Sequence, residues 1–176
     1  MNYLFLTNGF EEIEAVETID ILRRADLPLT TISVEDVLEV KGAHNVVVKA
    51  DALLSETDFN DAEILILPGG TVRLFEFSKL TNLLVEHNNK GGLIAAICAA
   101  PSILGKLGIL EGKTATCYPG FEQYLTGAQV VDKRVVKCEN IITGKGPGCT
   151  KQFALEIVLA LCGQEKTNEV AEAMIA

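Results

Sequence analysis

A doubly wound α/β sandwich, with a mostly parallel central sheet and helices on both faces, is the fold class this sequence predicts. Ile64 to Leu67 and Leu93 to Ile97 are apolar without alternation, the mark of strands buried on both faces. Between such runs lie stretches of helical periodicity, which supply the right-handed crossovers that parallel strands need. No linker, repeat or low-complexity segment divides the 176 residues, so one domain over residues 1–176 is expected.

In chain order, Asn2 to Thr7 reads as a buried strand, Asn8-Gly9 as a turn, and Glu11 to Ala25 as a helix. Acids in that helix's first turn and Arg23-Arg24 in its last suit the macrodipole. Leu29 to Val34 is the next strand, and Val37 to Val40 with Val46 to Lys49 form a small hairpin around Lys41-Gly42-Ala43-His44-Asn45. The Ile64 to Leu67 strand closes at Pro68-Gly69-Gly70; Ser78 to Asn89 then has Leu80, Leu83, Leu84 and His87 at helical spacing. After Leu93 to Ile97 come a short helix over Pro101 to Leu107, a strand at Thr114 to Cys117 and a short helix near Phe121 to Leu125. The strand pair Val135 to Cys138 and Asn140 to Thr143 follows, and then two closing helices, Gly148 to Leu161 and Lys166 to Ile175.

Composition narrows function. The net charge is −9, residues 1–40 carry −7 of it, and no run of Lys or Arg interrupts the acidity, which argues against nucleic acid as a partner. No stretch approaches the ~18 apolar residues of a membrane span and no basic leader precedes Tyr3-Leu4-Phe5-Leu6, so no membrane partner and a cytoplasmic location are expected. The five cysteines, Cys98, Cys117, Cys138, Cys149 and Cys162, form no CxxC pair and have only two histidines for company. Neither a disulfide framework nor a zinc knuckle fits; most read as reduced core fillers, and no metal is expected.

In sheets of this class ligands bind beyond the carboxyl ends of the strands. There Leu93 to Ile97 runs straight into Cys98, with small residues on either side (Ala96, Ala100) and Pro101 pre-set for a helix start. This is the layout of a nucleophile elbow, whose helix N-terminus would favour thiolate; the same pattern also fits a buried structural cysteine. On the first helix Glu14 falls with Thr18, Ile21, Leu22 and Ala25, opposite Glu12, Glu17, Asp20, Arg23 and Arg24, so it points toward the sheet. A carboxyl there should have a raised pKa, stay protonated and donate a hydrogen bond to a thiolate or its oxidised forms; the bland reading has it decorate a helix start. Ile13 and Val16 lie among the charges of the outer arc, which suggests a subunit contact. Gly69-Gly70 brings backbone N–H groups within reach of an oxyanion, or simply turns the chain. Gly144 to Thr150 has the glycines of a phosphate loop but misplaces its lysine, so Walker-type nucleotide binding is rejected and Cys149 is left as a semi-exposed thiol. His44, in a hairpin turn, and His87, on a helix seam, sit at no strand's carboxyl end, so no Cys-His dyad is evident.

Taken together, Gly9-Phe10-Glu11-Glu12-Ile13-Glu14-Ala15, Leu67-Pro68-Gly69-Gly70, Ala95-Ala96-Ile97-Cys98-Ala99-Ala100-Pro101, Tyr118-Pro119 and Gly146-Pro147-Gly148 resemble the ThiJ/PfpI superfamily, in the branch of Parkinson disease protein seven. The resemblance implies a flavodoxin-like sandwich, usually a homodimer. It implies a nucleophilic Cys98, a partner carboxyl at Glu14, backbone donors at Gly69, Gly70 and Ala99, and Tyr118 and Pro147 lining the site. The activity implied is glyoxalase-like or deglycase-like, on small reactive aldehydes or glycated groups, without a cofactor. The alternative is a non-catalytic redox sensor or chaperone in which Cys98 is oxidised to sulfinate. A PfpI-type cysteine peptidase is the remote reading, because Tyr118 and Ala99 stand where other members carry histidine and acyl transfer to water needs a base.

Overall fold

The computed structural model describes residues 1–176. The chain runs β1 (Asn2–Leu6), α1 (Glu12–Arg24), β2 (Leu29–Ser33), β3 (Glu39–Lys41), β4 (Val47–Lys49), β5 (Ala52–Leu53), β6 (Ile64–Leu67), α2 (Ser78–Asn89) and β7 (Leu93–Ile97). It continues through α3 (Pro101–Lys106), β8 (Thr114–Ala115), β9 (Gln129–Val130), β10 (Val135–Cys138), β11 (Ile141–Gly144) and α4 (Thr150–Ala173). Seven strands form the main sheet in the order β10-β11-β7-β6-β1-β2-β5. All its pairings are parallel except β10 with β11. The doubly wound α/β sandwich read from the sequence is therefore present, and no helix is long and apolar enough to cross a membrane.

The unbroken apolar runs have the cause inferred for them. Leu4, Leu6, Ile64, Ile66, Ala95 and Ile97 enter one core with Ile21 and Leu22 of α1 and Phe153, Ile157 and Val158 of α4. The intervening Phe5, Leu65, Leu67, Ile94 and Ala96 enter the other, with Leu80 and Leu84 of α2 and Ile103 and Leu104 of α3. Successive strand side chains point to opposite faces, so a sheet covered twice demands apolar residues at both parities.

Local chemistry explains where the elements depart from expectation. Helix α1 begins one residue late because Glu11 is its N-cap: the Glu11 carboxylate accepts the Glu14 N–H at 2.8 Å. Helix α4 starts at Thr150 rather than Gly148 because Pro147–Cys149 forms a 3-10 turn, and the two closing helices are one run broken only at Gly163, with φ 82° and ψ 178°. Strand β8 stops at Ala115, after which Thr116 N–H turns to the Thr143 hydroxyl at 3.0 Å. The two-residue strands β5 and β9 carry no legible pattern.

Candidate active site

Three neighbouring strand ends and one helix start build the site. Strand β7 delivers Cys98, β6 delivers Gly69-Gly70, β11 delivers the loop from Gly144, and α1 brings Glu14 across the sheet end. Cys98 has φ +66°, a left-handed conformation that L-residues rarely adopt, and this sharp turn is the elbow that the small flanking residues implied. Its backbone is clamped on both sides: Cys98 N–H donates to Gly144 O at 2.9 Å, and Cys98 O accepts from Tyr118 N–H at 2.8 Å.

Glu14 is 1% exposed and Cys98 8%. The inward arc assigned to Glu14 is thus observed, while Ile13 and Val16 on the outer arc are 53% and 45% exposed. Glu14 Oε2 accepts the Gly69 N–H at 2.7 Å, Oε1 is buried with no hydrogen-bond partner, and the Cys98 thiol lies near enough to the carboxyl to favour its anion. The Gly70 and Ala99 N–H groups lie near the Cys98 sulfur and favour its anion. Gly69, grouped with them from sequence, differs: its N–H is committed to Glu14, so it positions the acid while Gly70 and Ala99 face the sulfur. A Cβ on Gly69 would lie 2.6 Å from Cys98 Cβ, so the approach of β6 to the elbow requires glycine.

Burial pushes the Glu14 carboxyl up to about 7, against the Gly69 N–H and the thiol, which favour the anion. Burial, followed by the Glu14 charge, pushes the Cys98 thiol up to about 12, against the N–H groups of Gly70 and Ala99. Two groups in such contact titrate as a pair: the first proton leaves near 7, and the second is held until about 12. The thiolate-favouring helix start expected from sequence is weak. Helix α3 has six residues, and its opening N–H groups at Ser102 and Ile103 are taken by Ala99 O and Ala100 O.

Tyr118 is 46% exposed and packs against Gly146, where a Cβ would meet its ring at 3.1 Å. Pro147, half-buried, lines a cavity with it. Neither histidine joins them. His44 Nδ1 pairs with Glu12 at 2.8 Å, and His87 Nε2 bonds Leu93 O at 3.0 Å, at the end of β7 remote from Cys98. Cys149 is buried rather than semi-exposed because its thiol bonds Gly146 O and Arg134 O inside the turn. Sequence reasoning passed over Glu11, whose N–H donates to Gly69 O at 2.9 Å while its carboxylate caps α1; its one legible signal was a carboxylate three residues before Glu14.

Residues 2–160 match the DJ-1/PfpI family. The chain is 38% identical over 177 residues to Protein dj-1beta of Drosophila melanogaster, covering 98% of this chain and 95% of that one. It is 38% identical over 166 residues to the glutathione-independent glyoxalase DJR-1.2 of Caenorhabditis elegans, covering 91% and 87%. Its structure is similar to the crystal structure of Drosophila melanogaster DJ-1beta, with a TM-score of 0.95, 37% identity and 99% and 97% of the two chains covered. The oxidized Toxoplasma gondii DJ-1 is similar too, with a TM-score of 0.95, 34% identity and the same coverage.

Proposed function

Because the chain belongs to the DJ-1/PfpI family, we propose that its single domain, residues 1–176, is a cofactor-independent glyoxalase-type or deglycase-type enzyme for small reactive aldehydes. The observation that carries this reading is the juxtaposition of the buried Glu14 carboxyl and Cys98, which a Cβ on Gly69 would touch at once, with the Gly70 and Ala99 N–H groups near the sulfur. The similarity to the glutathione-independent glyoxalase of Caenorhabditis elegans supports the choice of reaction.

In the reactive form of the pair the single negative charge lies on sulfur and the remaining proton on Glu14. The thiolate adds to the aldehyde carbon of methylglyoxal, and Gly70 and Ala99 N–H hold the oxygen as its charge develops. Glu14 gives its proton to that oxygen, then as carboxylate removes the proton on the former aldehyde carbon and returns it to the neighbouring carbon. The first carbon is oxidised to a thioester and the second reduced to an alcohol, so the electron balance closes within the substrate. Water cleaves the thioester, releasing lactate and restoring the thiolate. The expected result is lactate from methylglyoxal with wild type and a loss of at least about a thousandfold in Cys98→Ala, in line with removal of a covalent nucleophile. A wild type no faster than Cys98→Ala overturns the proposal. The redox-sensor reading fits less well, since Cys98 is buried whereas Cys162 is exposed.

The same proposal includes a homodimer. Ile13 and Val16 are exposed beside the helix start that carries Glu14, so a second copy there would bury both and help cover the site. Analytical ultracentrifugation at micromolar concentration is expected to give twice the 18.9 kDa chain mass; a monomer alone refutes the dimer.

A further inference from the structure

A cavity of about 340 Å³ lies beside the site, lined by Tyr118, Arg134, Lys145 and the loop Gly146 to Cys149. Its walls continue directly from the two residues that clamp Cys98, since Tyr118 N–H binds Cys98 O and Gly144 O binds Cys98 N–H. Two cations in it stand out in a chain of net charge −9. Residues 132–151 hold Lys133, Arg134, Lys137, Lys145 and Lys151 against Asp132 and Glu139, a local charge of +3. Spread over twenty residues they make no visible cluster, but β10 and β11 run antiparallel, and the residues flanking the pair, Arg134 and Lys145, meet at its open end, where Lys145 N–H donates to Arg134 O at 2.9 Å.

Resting on the reading above, we propose that this cavity is a phosphate subsite of the same active site, and that the preferred substrate is an aldehyde or dicarbonyl carrying a phosphate group. Arg134 is already fixed over the loop: Nε donates to Gln152 Oε1 at 2.6 Å and Nη2 to Gly148 O, which leaves Nη1 free for a ligand. A guanidinium held this way loses little further freedom on binding. Lys145 Nζ pairs with Asp132, whose carboxylate is 86% exposed. So exposed a pair contributes little, and an incoming oxyanion displaces it readily. Gly146 and Gly148 add no side chain to the cavity wall. The resemblance to a phosphate loop that failed as a nucleotide motif thus has a different use here: the lysine sits ahead of the turn and reaches the cavity from its side.

The test is a titration of the full chain with inorganic phosphate at constant ionic strength, followed by amide NMR shifts. Saturating shifts confined to Tyr118 and Gly146 to Cys149 are expected. Lys145→Gln should weaken phosphate at least about tenfold, and Asp132→Asn, which removes the competing carboxylate, should tighten it about threefold. Both changed side chains end in solvent, so loss of folding does not confuse the reading; Arg134→Lys, with charge kept and the fork lost, should fall between wild type and Lys145→Gln. Absent or scattered shifts, an unchanged Kd in both Lys145→Gln and Asp132→Asn, or acetate binding as tightly as phosphate would each overturn the proposal. Phosphate binding is read without turnover, so a protein that binds phosphate here yet forms no lactate would retain the subsite and lose the aldehyde chemistry.

Discussion

Gly69→Ala is expected to destabilise the protein by about 3 kcal/mol, at the upper end of what overpacking usually costs, and to abolish turnover. The new methyl would stand 2.6 Å from Cys98 Cβ, 2.8 Å from Glu14 Oε2 and 2.9 Å from Ile97 O. A flexible side chain could yield, but two of these atoms belong to the central strand β7 and its elbow, which are held through backbone hydrogen bonds to β6 and β11. Gly69 is not among the residues with positive φ, so alanine meets no conformational penalty and the cost comes from packing alone. Urea unfolding measures it, with Gly148→Ala as reference: nothing lies within 4 Å of a Cβ there, and a shift within about 0.5 kcal/mol is expected. Equal stabilities for the two variants would show that β6 and β7 can separate at no cost, and the tight approach would lose its significance.

Replacing Glu14 should change how stability (in Glu14→Gln) and thiolate content (in Glu14→Leu) respond to pH. The carboxyl titrates near 7 in the folded protein against 4.5 ordinarily, so the folded state holds the proton more strongly. A group raised in this way contributes its full stabilisation below about 4.5 and loses it as pH rises through 7. The displacement corresponds to about 3 kcal/mol. Wild type should therefore lose about that much between pH 4.5 and 7.5 that Glu14→Gln does not lose, visible as a flatter dependence of unfolding free energy on pH. Thiolate absorbance at Cys98, with Cys98→Ser as blank, supplies the second readout. The pair gives up its first proton near 7, and the share of that proton that comes from sulfur should show in wild type as thiolate absorbance there. In Glu14→Leu, which keeps the bulk but removes the donor, the buried thiol must ionise without a hydrogen bond from residue 14, and thiolate at pH 7.5 should fall at least about tenfold. If wild-type thiolate appears only near 12 and Glu14→Leu lowers that value, Glu14 carries the charge at neutral pH and its role as proton donor is wrong.

Particular residues show how far the sequence reached. Sheet and helices were legible because two-sided burial leaves apolar residues at both parities of Ile64 to Leu67 and Leu93 to Ile97, which neither a helix start nor a one-sided strand does. Glu14 was legible for a related reason, being the only acid on the inward arc of α1. The contacts that close the site were not. Gly69 N–H reaches Glu14 across 55 residues, and no local pattern reveals which of two adjacent glycines faces the acid and which the sulfur. The behaviour of the thiol was misjudged because the dipole argument assumes free N–H groups at the start of α3, and those groups bond the carbonyls of the turn itself. Cys149 was misjudged because its exposure depends on Arg134 and Gly146, which the 3-10 turn folds over it.

The position of β10 as the one antiparallel strand, at the sheet's edge, separates two kinds of change that the protein can undergo. The reacting pair is anchored on β6, β7 and α1, in the interior, where nearly every substitution disturbs two cores. Arg134 of the cavity leads into β10, at the margin, where only one neighbouring strand constrains the chain. Insertions and charge reversals are tolerated best at such margins. If the chain is the enzyme proposed above, selectivity is free to diverge at the rim while the chemistry stays fixed at the centre, a modular arrangement in which one catalytic unit can serve a succession of substrates.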